Sequence, residues 1–136
     1  VHAPHWQRVR AAIDDMVARG QHVVQLASHS FCTLLDPSQR QFDVGLLFDP
    51  SREGELALVA ALEAACAAHG LSSRRNEPYT GLGPGVTSSM RVAFSPRQYV
   101  GVTIETSHAV TMRQGGCAEV ARALADGLTR FGIEAP

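Results

Sequence analysis

The sequence has 136 residues, of which 45% are hydrophobic and 18% are charged, with a formal net charge of -1 at pH 7. This length fits one domain with a buried core, and the charge argues against a nucleic-acid-binding protein, which normally has a basic surface. No apolar run is long enough to span a membrane, and no signal-peptide pattern is found. Three widely spaced cysteines, Cys32, Cys66 and Cys117, predict reduced thiols in a cytoplasmic protein.

The spacing of hydrophobic residues predicts helices that alternate with short apolar strands. Such alternation predicts one layered α/β/α domain over residues 1–136, with a largely parallel or mixed sheet. The predicted helices are Pro4–Arg19, Arg52–Ala68, Thr87–Phe94 and Cys117–Arg130, and the predicted strands are His22–Ala27, Asp43–Phe48, Leu71–Arg75 and Tyr99–Glu105.

Polar side chains stand where three of these strands are predicted to end, at His29, Asp49 and Glu105. The carboxyl ends of parallel strands share one edge of a sheet, which is where ligands bind in open α/β folds. An imidazole can ligate zinc, and a carboxylate can act as the base toward a metal-bound water. The alternatives are a hydrogen-bonded histidine at a strand end and a solvated glutamate at a strand exit.

The segment from Asn76 to Gly85 is the loop richest in glycine and proline, and it presents Asn76 and Tyr79 as candidate substrate contacts. The alternative is a plain connection whose tyrosine packs on the core. Arginines are the candidates for holding a substrate carboxylate, because the guanidinium group binds a carboxylate through two hydrogen bonds; as single residues they also fit a solvated surface. These arginines are Arg40, Arg74, Arg75 and Arg91.

Four segments follow one another along the chain: His29–Phe31, Arg40 with Asp43–Arg52, Arg74–Gly81 and Tyr99–Glu105. In this order they resemble the N-formylglutamate amidohydrolase family. The resemblance implies a zinc-dependent hydrolase with a fold similar to that of the metallocarboxypeptidases. Members of the family cleave the amide of an N-acylated acidic amino acid, typically N-formylglutamate, in histidine breakdown.

The same resemblance implies a role for each candidate residue. His29 is expected to ligate zinc, and Glu105 to activate the metal-bound water. Arg40, Asn76 and Tyr79 stand where substrate-binding groups are expected, and Arg75 is a further candidate for the substrate carboxylate.

Members of the family are longer and carry an earlier histidine-containing segment that completes the metal site. The chain is therefore expected to correspond to the carboxyl-terminal half of such an enzyme, or to a shortened member. Zinc catalysis usually needs three protein ligands, of which His29 is the one visible here. One alternative is a non-catalytic relative that binds an acidic small molecule or a partner protein. Another is one part of a split enzyme, completed by a second chain or within a homo-oligomer.

Overall fold

The structure is a computed structural model that describes residues 2–33 and 41–133, so Arg40 lies outside the described residues. The helices are α1 (His2–Ala18), α2 (Glu53–Ala68), α3 (Val86–Ala93), α4 (His108–Thr111) and α5 (Gly116–Phe131). The strands are β1 (Val23–Phe31), β2 (Val44–Leu47), β3 (Ser73–Arg75) and β4 (Tyr99–Ser107). Within these ranges, no helix has both the length and the apolar character needed to cross a membrane.

The strands form a mixed sheet in the order β1-β4-β2-β3. β1 runs parallel to β4, β3 runs parallel to β2, and β2 runs antiparallel to β4. The predicted α/β class with a largely parallel or mixed sheet is confirmed. β1 and β4 both extend beyond their predicted ends, so His29 lies within its strand rather than after it, and Glu105 lies two residues before the end of its strand.

The prediction that Asp49 shares an edge with His29 and Glu105 is wrong. Because β2 is antiparallel to β4, its carboxyl end lies beside Thr103, and the chain then runs toward the amino end of β4. Asp49 instead accepts hydrogen bonds from the backbone and the hydroxyl of Ser51, at 2.9 and 2.7 Å. The hydroxyl contact is the main cause that lowers the pKa of this carboxyl.

Each face of the sheet buries its own hydrophobic cluster, because successive side chains of a strand point to opposite faces. Val100, Val102 and Ile104 of β4 pack with α2 and α5, whereas Tyr99 packs with α1 and α3. The helices therefore cover both faces, which gives the α/β/α layering. The side chains of Thr103 and Glu105 point to the α1/α3 face, so a site that uses them can form only on that face.

A buried ion pair links α2 to α3. The side chains of Arg91 and Glu55 are 7% and 0% exposed, and their two hydrogen bonds measure 2.8 and 2.9 Å. Arg91 also donates to the carbonyl oxygens of Gly81, at 2.7 Å, and Gly101, at 3.2 Å. The second carboxylate oxygen of Glu55 accepts in addition from the backbone of Asp49, at 2.8 Å. This one pair thus joins two helices, a loop and the central strand β4.

Removal of the cation from this pair is expected to destabilise the fold strongly. Arg91→Met would leave the Glu55 carboxylate buried without its counter-ion, which typically costs about 3–5 kcal/mol of unfolding free energy. Arg113→Met is the matched control, because Arg113 pairs with Glu119 on the surface, where such pairs are worth about 0–1 kcal/mol. Urea unfolding of both variants measures the difference, and equal losses would contradict the central role of the buried pair.

Candidate active site

A cavity of about 760 Å³ opens on the α1/α3 face of the sheet. Its floor is formed by side chains of β1, β2 and β4, including Leu47 and Thr103. Its walls come from the amino-terminal part of α1, the start of α3 and the loop between β3 and α3. Such a volume lies within the usual range for small-molecule sites.

His29 and Glu105 both line this cavity. They are direct neighbours across the parallel pair β1 and β4, because their Cα atoms are register partners. Register partners project to the same face of a sheet, so the two side chains stand side by side. Glu105 is buried at 7% exposure, whereas His29 lies in the exposed part of β1. The structure therefore brings together the two residues for which sequence reasoning predicted catalysis and metal binding.

The loop between β3 and α3 is fixed by the amide of Asn76. This residue has a left-handed backbone, with φ 51°, and its Oδ1 accepts hydrogen bonds from the amides of Phe48 and Gly81, both at 3.0 Å. The peptide bond between Glu77 and Pro78 is cis. Tyr79 lines the cavity with 45% exposure. The loop thus presents Tyr79 to the cavity, while the amide oxygen of Asn76 is used within the loop itself.

The arginines predicted to hold a substrate carboxylate do not line the cavity where the structure describes them. Arg75 lies on the edge strand β3 and forms a two-pronged ion pair with Glu63, which raises its pKa. Arg74 pairs with Glu77 at 3.1 Å, and Arg91 is held by Glu55. Arg40 lies outside the described residues. The substrate-binding roles assigned to Arg40, Arg75, Asn76 and Tyr79 stay predictions.

Several cavity residues were missed by sequence reasoning. Trp6 lines the cavity from α1, although its spacing reads as that of an ordinary core residue of an amphipathic helix. Val86 and Thr87 line it from the start of α3, and the Thr87 hydroxyl lies 3.3 Å from that of Thr103. The glycines before α3 hinted at a close backbone approach, but no pattern in the sequence placed α1 at the cavity.

The described residues do not by themselves fit a zinc site. Over 2–33 and 41–133, no group of three histidine, cysteine, aspartate or glutamate side chains is close enough to hold a metal ion. His29 and Glu105 form a pair, whereas catalytic zinc usually has three protein ligands. The pair offers an imidazole and a buried carboxylate beside a cavity, which suits proton transfer to and from a bound molecule.

Comparisons with known proteins identify the family and the fold. The sequence profile of the N-formylglutamate amidohydrolase family matches residues 1–112. A gene product of Agrobacterium tumefaciens is similar in structure, with 26% identity, a TM-score of 0.69, and coverage of 95% of this chain and 51% of that one. An N-formylglutamate amidohydrolase from Ralstonia eutropha shares the fold at 18% identity, with a TM-score of 0.71 and coverage of 94% and 49%. The chain thus spans about half the length of these structures. No protein among those with curated functions matches the sequence.

The wall of the cavity is expected to depend on Gly81. A Cβ at this position would collide with the backbone nitrogen and oxygen of Phe48, whereas one at Gly83 would find its nearest atom at 3.5 Å. Gly81→Ala is therefore expected to displace the loop and to lower the unfolding free energy by about 1–3 kcal/mol, as overpacking does. Gly83→Ala is the matched control and should stay within about 0.5 kcal/mol of the parent. Thermal unfolding compares them, and a neutral Gly81→Ala would contradict the tight packing of loop on strand.

Proposed function

This chain belongs to the N-formylglutamate amidohydrolase family, and on that premise we propose that it hydrolyses the amide bond of an N-acyl acidic amino acid, in particular an N-formyl one. The observation that carries the proposal is the side-by-side placement of Glu105 and His29 in one cavity. The proposed setting is the cytoplasm, as the three scattered cysteines favour, and the proposed role is histidine breakdown, as is typical of the family.

Glu105 is the proposed proton carrier. A water between the carboxylate and the substrate carbonyl would give its proton to Glu105 as it attacks the carbonyl carbon. Glu105 would then pass that proton to the leaving nitrogen, so the free amino acid departs as an amine and the acyl group as an acid. The burial of Glu105, at 7% exposure, would limit the number of other waters that reach the carboxylate.

Zinc is proposed as the cofactor, with His29 as one of its ligands. When bound, zinc would supply acidification of the attacking water and polarisation of the carbonyl. The described residues offer no third ligand near His29 and Glu105. We propose that the missing ligands come from outside residues 2–33 and 41–133, or from a complementing chain or second copy.

Loss of the Glu105 carboxylate is expected to abolish hydrolysis without loss of the fold. Glu105→Gln keeps the shape of the side chain but removes its basicity, so hydrolysis of N-formyl-L-glutamate should fall at least about 10²-fold, the usual worth of a general base. Glu119→Gln is the matched control, because Glu119 lies on the surface of α5 in an exposed ion pair. Release of free glutamate measures the rates, and full activity in Glu105→Gln would remove the assigned base.

A second function, binding without catalysis, is favoured by the lack of a three-ligand group among the described residues. Elemental analysis of the purified protein, alone and with any copurifying chain, separates the two functions. The enzyme is expected to hold stoichiometric zinc. His29→Ala should lower the zinc content, whereas His69→Ala, on the far side of the fold, should not. Absence of zinc together with absence of hydrolysis would favour a module that binds an acidic small molecule or a partner protein.

A further inference from the structure

The walls of the cavity beside Glu105 are apolar and aromatic. Trp6 and Val86 line one side, Tyr79 and Pro84 contribute from the loop, and Leu47 lies on the floor. Contact between these aromatic and aliphatic side chains and an apolar group of a ligand is favourable, because it removes nonpolar surface from water. They offer no counter-charge to a carboxylate.

No guanidinium or ammonium group is found in the described lining of this cavity, where the basic side chains are the imidazoles of His5 and His29. The sequence contains no lysine, so its basic residues apart from histidine are all arginines. None of the described arginines lines the cavity. Arg75 and Arg91, which sequence reasoning offered for a carboxylate, are held by Glu63 and Glu55. A substrate carboxylate placed against the apolar part of these walls would lose hydration without gaining a guanidinium partner, which is unfavourable.

The cavity is also larger than a formylated acidic amino acid requires. At roughly 30 Å³ per non-hydrogen atom, the volume of a water molecule in the liquid, the about twelve such atoms of N-formylglutamate fill roughly 360 Å³. The cavity measures about 760 Å³. About half of it would remain filled by water against apolar walls, and a larger apolar group could displace that water.

We infer that the cavity binds an apolar group of aromatic size on the substrate, next to the scissile amide at Glu105 and His29. This inference rests on the proposed amide hydrolysis and adds the class of substrate. The apolar group has two possible sources, the acyl group or the amino-acid side chain. In either case, any acidic part of the substrate lies outside the cavity described here.

Binding to the intact protein tests the inference independently of turnover. Trp6 is the single tryptophan of the sequence and lines the cavity, so its fluorescence should respond to a bound ligand. Three ligands are compared: N-formyl-L-glutamate, N-benzoyl-L-glutamate and N-formyl-L-phenylalanine. Calorimetry gives a second measure of each dissociation constant. One of the two phenyl-bearing ligands is expected to bind at least about tenfold more tightly than N-formyl-L-glutamate, and the one that does identifies the source of the apolar group.

Variants in the exposed loop between β3 and α3 test whether the phenyl group binds in the cavity. Tyr79→Ser is expected to weaken the preferred phenyl ligand about fivefold or more, and by a larger factor than it weakens N-formyl-L-glutamate, whereas Tyr79→Phe should restore the parent affinity. Leu82→Ser is the matched control, because Leu82 is 63% exposed in the same loop and does not line the cavity. Folding is checked by unfolding midpoints.

Two results would overturn the inference. One is an affinity for N-formyl-L-glutamate equal to or greater than that for both phenyl ligands. The other is phenyl binding that Tyr79→Ser leaves unchanged. A preference for the phenyl group in a protein that shows no hydrolysis would support the inference about the cavity while rejecting the proposed catalysis, so the two failures are distinguishable.

Discussion

The ion pair between Arg91 and Glu55 is the interaction on which the rest of the structure depends. Two charges buried in a small domain cost several kcal/mol each, and only a complete set of hydrogen bonds offsets that cost. Arg91 meets this condition by binding Glu55 and the carbonyl oxygens of Gly81 and Gly101. Those partners belong to α2, the loop and β4. The hydrogen bonds of one guanidinium group therefore fix the positions of these three elements relative to α3. The amino end of α3, which forms a wall of the cavity, is positioned by this requirement.

The second constraint is the parallel pairing of β1 with β4. These strands are far apart in sequence, yet their register makes His29 and Glu105 neighbours on one face. On that face, Gly45 of β2 pairs with Glu105 in register, and its missing side chain lets the backbone carbonyl of Glu77 approach the strand where a Cβ would collide with it. The placement of a buried carboxylate beside an exposed imidazole follows from this register and from strand parity. Strand pairing therefore places the imidazole and the carboxylate side by side, and the helices and the loop between β3 and α3 limit which molecules can reach them.

Sequence reasoning identified the fold class and the two strand residues because both depend on local pattern. Short apolar runs between amphipathic helices identify an α/β layer, and a polar residue at the end of such a run can be recognised from the sequence alone. The direction of β2 is not visible in the same way, since a run such as Val44–Leu47 reads alike in a parallel or an antiparallel strand, and the prediction for Asp49 failed for this reason. The partners of Arg75 and Arg91, and the place of Trp6, depend on which elements pack together, which short-range spacing does not encode.

The residues that carry the family likeness mostly build the scaffold. Asp43 accepts hydrogen bonds from Ser72 at 2.9 and 3.2 Å, and Arg52 donates to the backbone around the end of α3. Asn76 joins Phe48 to Gly81. Such residues are constrained by hydrogen bonds within the fold whatever the ligand, so sharing them predicts a shared fold and a shared position for the carboxylate and the imidazole. One part of the cavity wall uses other residues, among them Trp6 and Val86, which lie outside those motifs, whereas Tyr79 belongs to one of them. Selectivity for the substrate can therefore change through the walls while the motifs that identify the family stay in place.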